Sequence, residues 1–179
     1  MVESNVTKER GEKPEVVLAR IKECFTSWND AVSSLDQVEI RKLSGLSNAC
    51  YKVALKPDIV LNKDVDELQR PRVVLYRKFE CEIIDKRVES TIFKAMSESG
   101  LGPKLFFQNS EYRIENFIEG RPLTIWEMRN PVIAEKFVEA MFNMHTKSGI
   151  AEAMQEVQPF DSSRMGVQIA VDQWGPATT

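Results

Sequence analysis

The sequence predicts an α+β fold: an antiparallel sheet of about five strands, one glutamate-bearing helix, and further helices before and after them. Three observations predict it. Tyr51, Val53 and Leu55 alternate with Lys52, Ala54 and Lys56, and this period of two marks a half-buried strand. Val88, Ile92, Phe93 and Met96 recur at helical spacing on a segment that Gly100 and Gly102-Pro103 terminate. Two short aromatic and β-branched runs, 104–108 and 112–118, follow with Asn109-Ser110 as the turn between them.

The other elements follow in chain order. Residues 1–13 are charged and lack periodicity, so a disordered leader is expected. Pro14 opens a helix to about residue 29, with Val17, Leu18, Ile21, Cys24, Phe25 and Trp28 as its apolar stripe. That stripe caps the sheet or, in the alternative reading, binds a peptide or a second copy. Residues 37–43 and 49–56 read as strands joined by a tip rich in Ser, Gly and Asn. The polar, acidic stretch 57–71 reads as a solvated loop, an ornament rather than a core element. Strand character returns over 71–80, where Val73, Leu75 and Phe79 share a face with Arg77, while Lys78 points to the opposite face. Beyond 118, Glu119-Gly120-Arg121-Pro122-Leu123 breaks the last strand and leads outward. Pro131 to about Lys147 then forms a helix with Val132, Ile133, Phe137, Met141, Met144 and His145 on its apolar face.

Composition narrows the function classes. The chain has 179 residues, 42% hydrophobic and 28% charged, which describes one ordinary globular domain. A net charge of −3 argues against a general nucleic-acid binder, which needs a basic surface. No apolar run is long enough to cross a bilayer. Cys24, Cys50 and Cys81 lie far apart without metal-ligand spacing, so they read as inert thiols in a reducing, cytoplasmic compartment. His145 is the sole histidine and has no ligand partners at suitable spacing, so neither a metal site nor a catalytic histidine is expected.

Two features carry chemistry. A tip reading Leu43-Ser44-Gly45-Leu46-Ser47-Asn48 can turn its backbone amides toward one point and cradle a phosphate, although hairpin tips also take this composition for steric reasons. It has neither a Walker Gly-Lys-Ser/Thr nor a full GxGxxG. Arg77, on an apolar face, needs a partner, because an unpaired buried charge is unfavourable. Glu89, on the buried side of its helix, is the candidate. A strand cation paired with a helix carboxylate is how kinases hold phosphates, usually with Lys on the strand; an ordinary salt bridge is the other reading. The order helix, strand, strand, linker likewise matches a protein-kinase-like small lobe before its hinge.

Three segments in the same order give a sharper resemblance. ESTIFKAMSESGLGPKLFF followed by YRIENFIEGRPLT resembles the choline and ethanolamine kinases, as do Ser-Gly-Leu-Ser-Asn at 44–48 and Val74-Leu75-Tyr76-Arg77. The resemblance runs from about Leu43 to about His145. It implies an ATP-binding lobe over 14–118, then the hinge and the start of a second lobe over 119–179. It implies that Ser44, Gly45, Leu46, Ser47, Asn48, Ala49 and Cys50 wrap the ATP phosphates, that Arg77 holds them, and that Glu89 orients Arg77. Asn116, Phe117 and Ile118 would seat adenine through backbone groups. The substrates would be ATP with Mg2+ and either choline or ethanolamine, and the family commonly dimerises.

The resemblance also marks a departure. In that family a His-x-Asp loop with a nearby Asn, then a second acidic motif, follow the hinge helix and hold Mg2+ and the attacking hydroxyl. Here only Asp161 and Asp172 follow the hinge, and neither has His two residues before it. No catalytic or metal-ligating residue is therefore assigned. The chain is expected to be an inactive nucleotide lobe, whether a fragment, a truncated gene model or a natural short form. Two alternatives stay open. One is a non-catalytic nucleotide-binding or regulatory module that pairs with a full-length kinase. The other is a different kinase-like phosphotransferase, such as an aminoglycoside-modifying or small-sugar kinase, against which the RIENFIEGRPLT segment argues.

Overall fold

The computed structural model describes residues 11–45, 47–80 and 85–157. Five strands, β1 (Val38–Leu43), β2 (Asn48–Leu55), β3 (Val73–Phe79), β4 (Leu105–Gln108) and β5 (Tyr112–Asn116), form one antiparallel sheet in the order β1-β2-β3-β5-β4. The expected α+β class and strand count are both observed.

Alternation gives the sheet two unlike faces. On one face Tyr51, Val53, Val74, Tyr76, Tyr112 and Ile114 are buried in a single apolar cluster. Helices α1 (Pro14–Cys24) and α2 (Thr26–Ala31) close that cluster with Val17, Ile21, Phe25 and Trp28. The stripe predicted from Pro14 is thus a cap on the sheet, but it is two helices rather than one. Phe25 takes extended angles (φ −123°, ψ 111°) while its N–H still donates to the Ile21 carbonyl. The break re-aims the chain, so that Phe25 stacks edge-on against Phe106 of β4 and Trp28 is fully buried.

The loop between β2 and β3 differs from its expected role. Ile59 and Leu61 are buried in the same cluster, Ser27 Oγ donates to the Gln69 carbonyl (2.5 Å), and Trp28 Nε1 donates to the Pro71 carbonyl (2.7 Å). Two well-spaced apolar residues pin an otherwise polar segment, so it belongs to the core.

Helix α3 (Lys86–Glu98) starts at Asp85, whose carboxylate accepts from the Arg87 and Val88 amides. It ends where Gly100 takes a left-handed φ of 71°, and the Leu101 and Gly102 amides return to the Met96 carbonyl (3.0 Å each). In the β4–β5 turn, Asn109 Oδ1 accepts from the Glu111 and Tyr112 amides (2.8 and 2.9 Å). Strand β5 stops at Asn116, two residues short of the predicted end.

Beyond it, the sequence reading missed the short helix α4 (Ile125–Met128), held by a Thr124–Glu127 capping box. Helix α5 (Pro131–Lys147) has its predicted bounds, with Asn130 Oδ1 accepting from the Val132 amide (3.0 Å). Its predicted apolar face is open: of that stripe Val132, Phe137, Met141 and His145 are exposed and Ile133 and Met144 half-covered, and the neighbouring Val138 and Phe142 are exposed as well. Helix α6 (Ile150–Val157), also unpredicted, lies against α3. The expected leader falls almost wholly outside the described residues. Its last residues are described, and they are fastened: the Glu12 amide donates to Tyr51 Oη (2.6 Å), and the Glu12 carboxylate accepts from Arg20 (2.7 Å) and Tyr76.

Two outcomes follow. Trp28→Ala removes a fully buried indole and its bond to Pro71, so unfolding free energy should fall by about 3–5 kcal/mol, measured by urea titration. At α4 the Glu127 carboxyl is held down to about 2, first by the Arg121 hydrogen bonds and then by Thr124. A depressed carboxyl stabilises above its unfolded pKa of about 4.5, and that contribution disappears as pH falls through about 2. An NMR titration should place the Glu127 midpoint near 2, and Arg121→Ala should move it upward.

Candidate functional site

The second face of the sheet carries charges among apolar residues such as Val73, Leu75 and Phe79, and strand alternation places them there. Arg77 on β3 stands directly opposite Arg113 on β5 in the strand register and beside Cys50 on β2. Two cations in register repel. Two residues along β5, Glu115 returns to the same face and resolves the conflict. Its Oε1 accepts from Arg77 Nη2 (2.8 Å) and its Oε2 from Arg113 Nε (2.5 Å). Arg113 Nη1 then reaches both oxygens of Glu89 on α3 (2.9 and 3.0 Å), while its guanidinium lies 3.5 Å from the Phe93 ring centroid. The Arg113 and Glu115 side chains are each 2% exposed; Arg77 is 27% exposed.

This corrects one expected contact. Arg77 and Glu89 share the face but do not pair; Glu115 holds Arg77, and Glu89 holds Arg113. Glu89 and Phe93 of α3 both meet Arg113, so the helix carboxylate is taken up by the β5 cation rather than by Arg77. The four groups form a chain, Arg77–Glu115–Arg113–Glu89. Burial alone would lower the Arg77 pKa, but the Glu115 hydrogen bond and charge reverse this and leave it above its usual value. Arg77 Nε is buried without a hydrogen-bond partner among the described residues.

The hairpin tip lies beyond the Phe79 end of β3, because Asn48 pairs with Phe79. Asn48 Oδ1 accepts from the Glu80 amide (3.2 Å) and ties the tip to the strand end. Ser44, Gly45 and Ser47 are exposed, whereas Leu46 lies outside the described residues. A Cβ added to Gly45 would sit 2.6 Å from the Asn48 carbonyl oxygen, so only glycine fits this closely folded tip. Ala49 turns into the apolar cluster on the far face, which leaves only its backbone for the site. Cys50 is buried beside Arg77, and burial pushes its thiol pKa up.

The predicted hinge residues lie at the other end of the same strands, where Asn116 pairs with Val74. The Asn116 amide donates to the Lys104 carbonyl (2.8 Å), and Ile118 is exposed. Lys52 Nζ stands 4.4 Å from the Phe117 ring centroid and pairs with Glu119 (2.5 Å), fastening the linker to β2. From Val74 to Phe79 is about 17 Å at ~3.4 Å per residue. The hinge, Arg77 and the hairpin tip therefore lie in line along one strand. Sequence reasoning missed Arg113, Glu115 and Lys52 as site residues. The signal for the first two was present, since residues 113 and 115 alternate onto one face. Among the described residues no His, Cys, Asp and Glu group could hold a metal ion.

A sequence model of the family described as choline/ethanolamine kinase matches residues 40–168. A probable ethanolamine kinase of Arabidopsis thaliana is 30% identical over 129 residues, covering 72% of this chain and 33% of that protein. A human choline/ethanolamine kinase is 34% identical over 104 residues, covering 56% of this chain and 25% of that protein. The chain thus spans between a quarter and a third of these relatives. Among solved structures, a choline kinase from Cryptosporidium parvum superposes with a TM-score of 0.59 at 21% identity, covering 72% of this chain and 33% of that one. A Plasmodium vivax ethanolamine kinase gives 0.59 at 20% identity, covering 88% and 41%. At that identity the likeness concerns the fold.

Removing the carboxylate that joins the two guanidiniums should be severe. Glu115→Ala leaves Arg113 and Arg77 each short of a partner in a buried setting, and stability should fall by about 3–5 kcal/mol. Urea unfolding of the variant beside the unsubstituted chain reads this directly.

Proposed function

The chain belongs to the choline/ethanolamine kinase family, and on that premise we propose that residues 14–118 are the ATP-binding lobe of an enzyme that phosphorylates choline or ethanolamine. Residues from 119 onward are, in this reading, its hinge and the start of the second lobe. Arg77 carries the proposal. It is a cation fixed at one nitrogen by Glu115, with a buried Nε that has no partner among the described residues, on a strand that leads to a glycine-requiring hairpin tip.

ATP fits these residues. An orphaned guanidinium donor suits an anionic oxygen, and a tightly folded Ser- and Gly-rich tip can turn backbone amides toward one point. In this assignment the amides of 44–50 and the free donors of Arg77 hold the phosphates. Glu89 supports Arg77 through Arg113 and Glu115 rather than directly, and the backbone of Asn116, Phe117 and Ile118 seats the adenine. When bound, ATP supplies the phosphoryl group that passes to the amino alcohol. What the lobe itself does is orient the nucleotide and offset its charge. Mg2+ accompanies ATP, with its ligands assigned outside this lobe; Asp161 and Asp172 lie outside the described residues.

A cytoplasmic setting and a homodimer complete the proposal. Cys24 and Cys50 are free thiols, consistent with a reducing compartment, and no described helix is long and apolar enough to cross a membrane. The exposed apolar residues of α4 and α5 favour association. They equally favour a second reading, in which this chain is a non-catalytic module docked on a full-length kinase.

Thermal-shift titration tests the site. ATP should raise the melting temperature of the chain, and Arg77→Ala should abolish that rise in a chain that still unfolds cooperatively, at a lower ligand-free melting temperature because Glu115 Oε1 loses its partner. An ATP response unaltered by Arg77→Ala removes Arg77 from the site. With MgATP and either alcohol, this chain should show no turnover, and robust turnover would mean that its chemistry lies in residues not assigned here.

A further inference from the structure

Arg113 is among the most deeply buried charged side chains described, yet the reading above gives it no contact with nucleotide. Burying a guanidinium is unfavourable unless its donors are satisfied. Two of its three nitrogens are engaged here: Nε donates to Glu115 Oε2, while Nη1 donates to both oxygens of Glu89 and to Gln108 Oε1 at 3.5 Å. The division of Glu115 is the informative detail. Each of its oxygens serves a different arginine, so Arg77 receives only one oxygen, through one nitrogen. A carboxylate free of Arg113 would instead grip Arg77 with both oxygens, because the parallel fork is the favoured Arg–carboxylate geometry. That grip would consume the donors a phosphate needs.

We infer that Arg113 is a positioning residue for the phosphate grip. By occupying Glu115 Oε2 it keeps Arg77 in a one-point contact with Glu115 and leaves the rest of the Arg77 fork to an anionic ligand. Through Glu89 the same guanidinium ties this state to α3. A displacement of α3 therefore alters the donors Arg77 offers without touching Arg77. Lysine cannot fill the role, since a compact ammonium lacks the planar fork that spans two carboxylates. The inference rests on the nucleotide reading above and deepens it.

The test is isothermal titration of the full chain and of Arg113→Lys with ATP and, separately, with adenosine. Arg113→Lys should weaken ATP about tenfold while adenosine changes less than about twofold, since the effect acts only on the phosphates. Equal losses for both ligands, or no loss for ATP, would overturn the inference and leave Arg113 a structural residue. Should Arg113→Lys fail to fold by circular dichroism, Glu89→Gln decides. It keeps the side-chain shape at the far end of the chain of contacts, and it should weaken ATP a few-fold with adenosine unchanged; an unchanged ATP affinity refutes the coupling. If the unsubstituted chain binds adenosine but not ATP, or neither, the nucleotide reading itself falls, a result distinct from any of these.

Discussion

Two guanidiniums and two carboxylates on one face of a sheet set the terms for everything near them. Each would be strongly disfavoured alone in that setting, and the set is tolerable only when every member meets its partner. Arg113 and Glu115 therefore fix the β3–β5 register, because a slip of one residue would turn both charges into the apolar cluster on the other side. They also fix α3. The helix is anchored to β5 by Glu89 and Phe93 on the Arg113 guanidinium, and to β4 by Ser97 Oγ, which accepts from the Leu105 amide (2.7 Å). The cluster holds a net charge of zero, two positive and two negative, and this balance lets Arg77 stay partly exposed and available.

The opposite face makes this arrangement affordable. Val53, Val74, Tyr76 and Ile114, closed by α1, α2 and the pinned 57–71 loop, supply an apolar layer that does not depend on the polar side. Burial at ~25 cal/mol per Å² makes that layer the main source of stability. Interiors are close-packed and yield little, so strand backbones held there give the charged side chains a rigid base. The Trp28–Pro71 and Ser27–Gln69 hydrogen bonds extend the layer to the start of β3 and so to the strand that presents Arg77.

Much of this was legible in the sequence, for reasons that differ by element. The strands and α3 were read within a residue or two, since period-two and period-3.6 patterns report directly on burial. Arg77 was recognised as a cation needing a partner, but Glu89 was given to it because sequence shows which face a residue takes and not which strand a helix crosses. Arg113 was readable as facing Glu115, yet nothing in the sequence says that β5 rather than β4 neighbours β3. The break at Phe25 left no trace because neither glycine nor proline marks it. The stripe on α5 illustrates the opposite failure. Its periodicity is real, but period locates an apolar face without telling what covers it, and within the described residues that face remains open.

The choice of arginine at position 77 follows from the same geometry. A lysine there would have one compact charge, strongly hydrated and free to rotate, and Glu115 would draw it fully inward. Arginine divides its donors: Nη2 is spent on Glu115, while the remaining edge keeps its direction because the guanidinium is planar. A strand cation that must be anchored inward and still present donors outward has two tasks, and only a fork serves both. The carboxylate that anchors it must in turn be shared, which requires a second fork on the neighbouring strand. Arginines at 77 and 113 are therefore one solution to one problem, with Glu115 as the joint between them and Glu89 as the link to the helix.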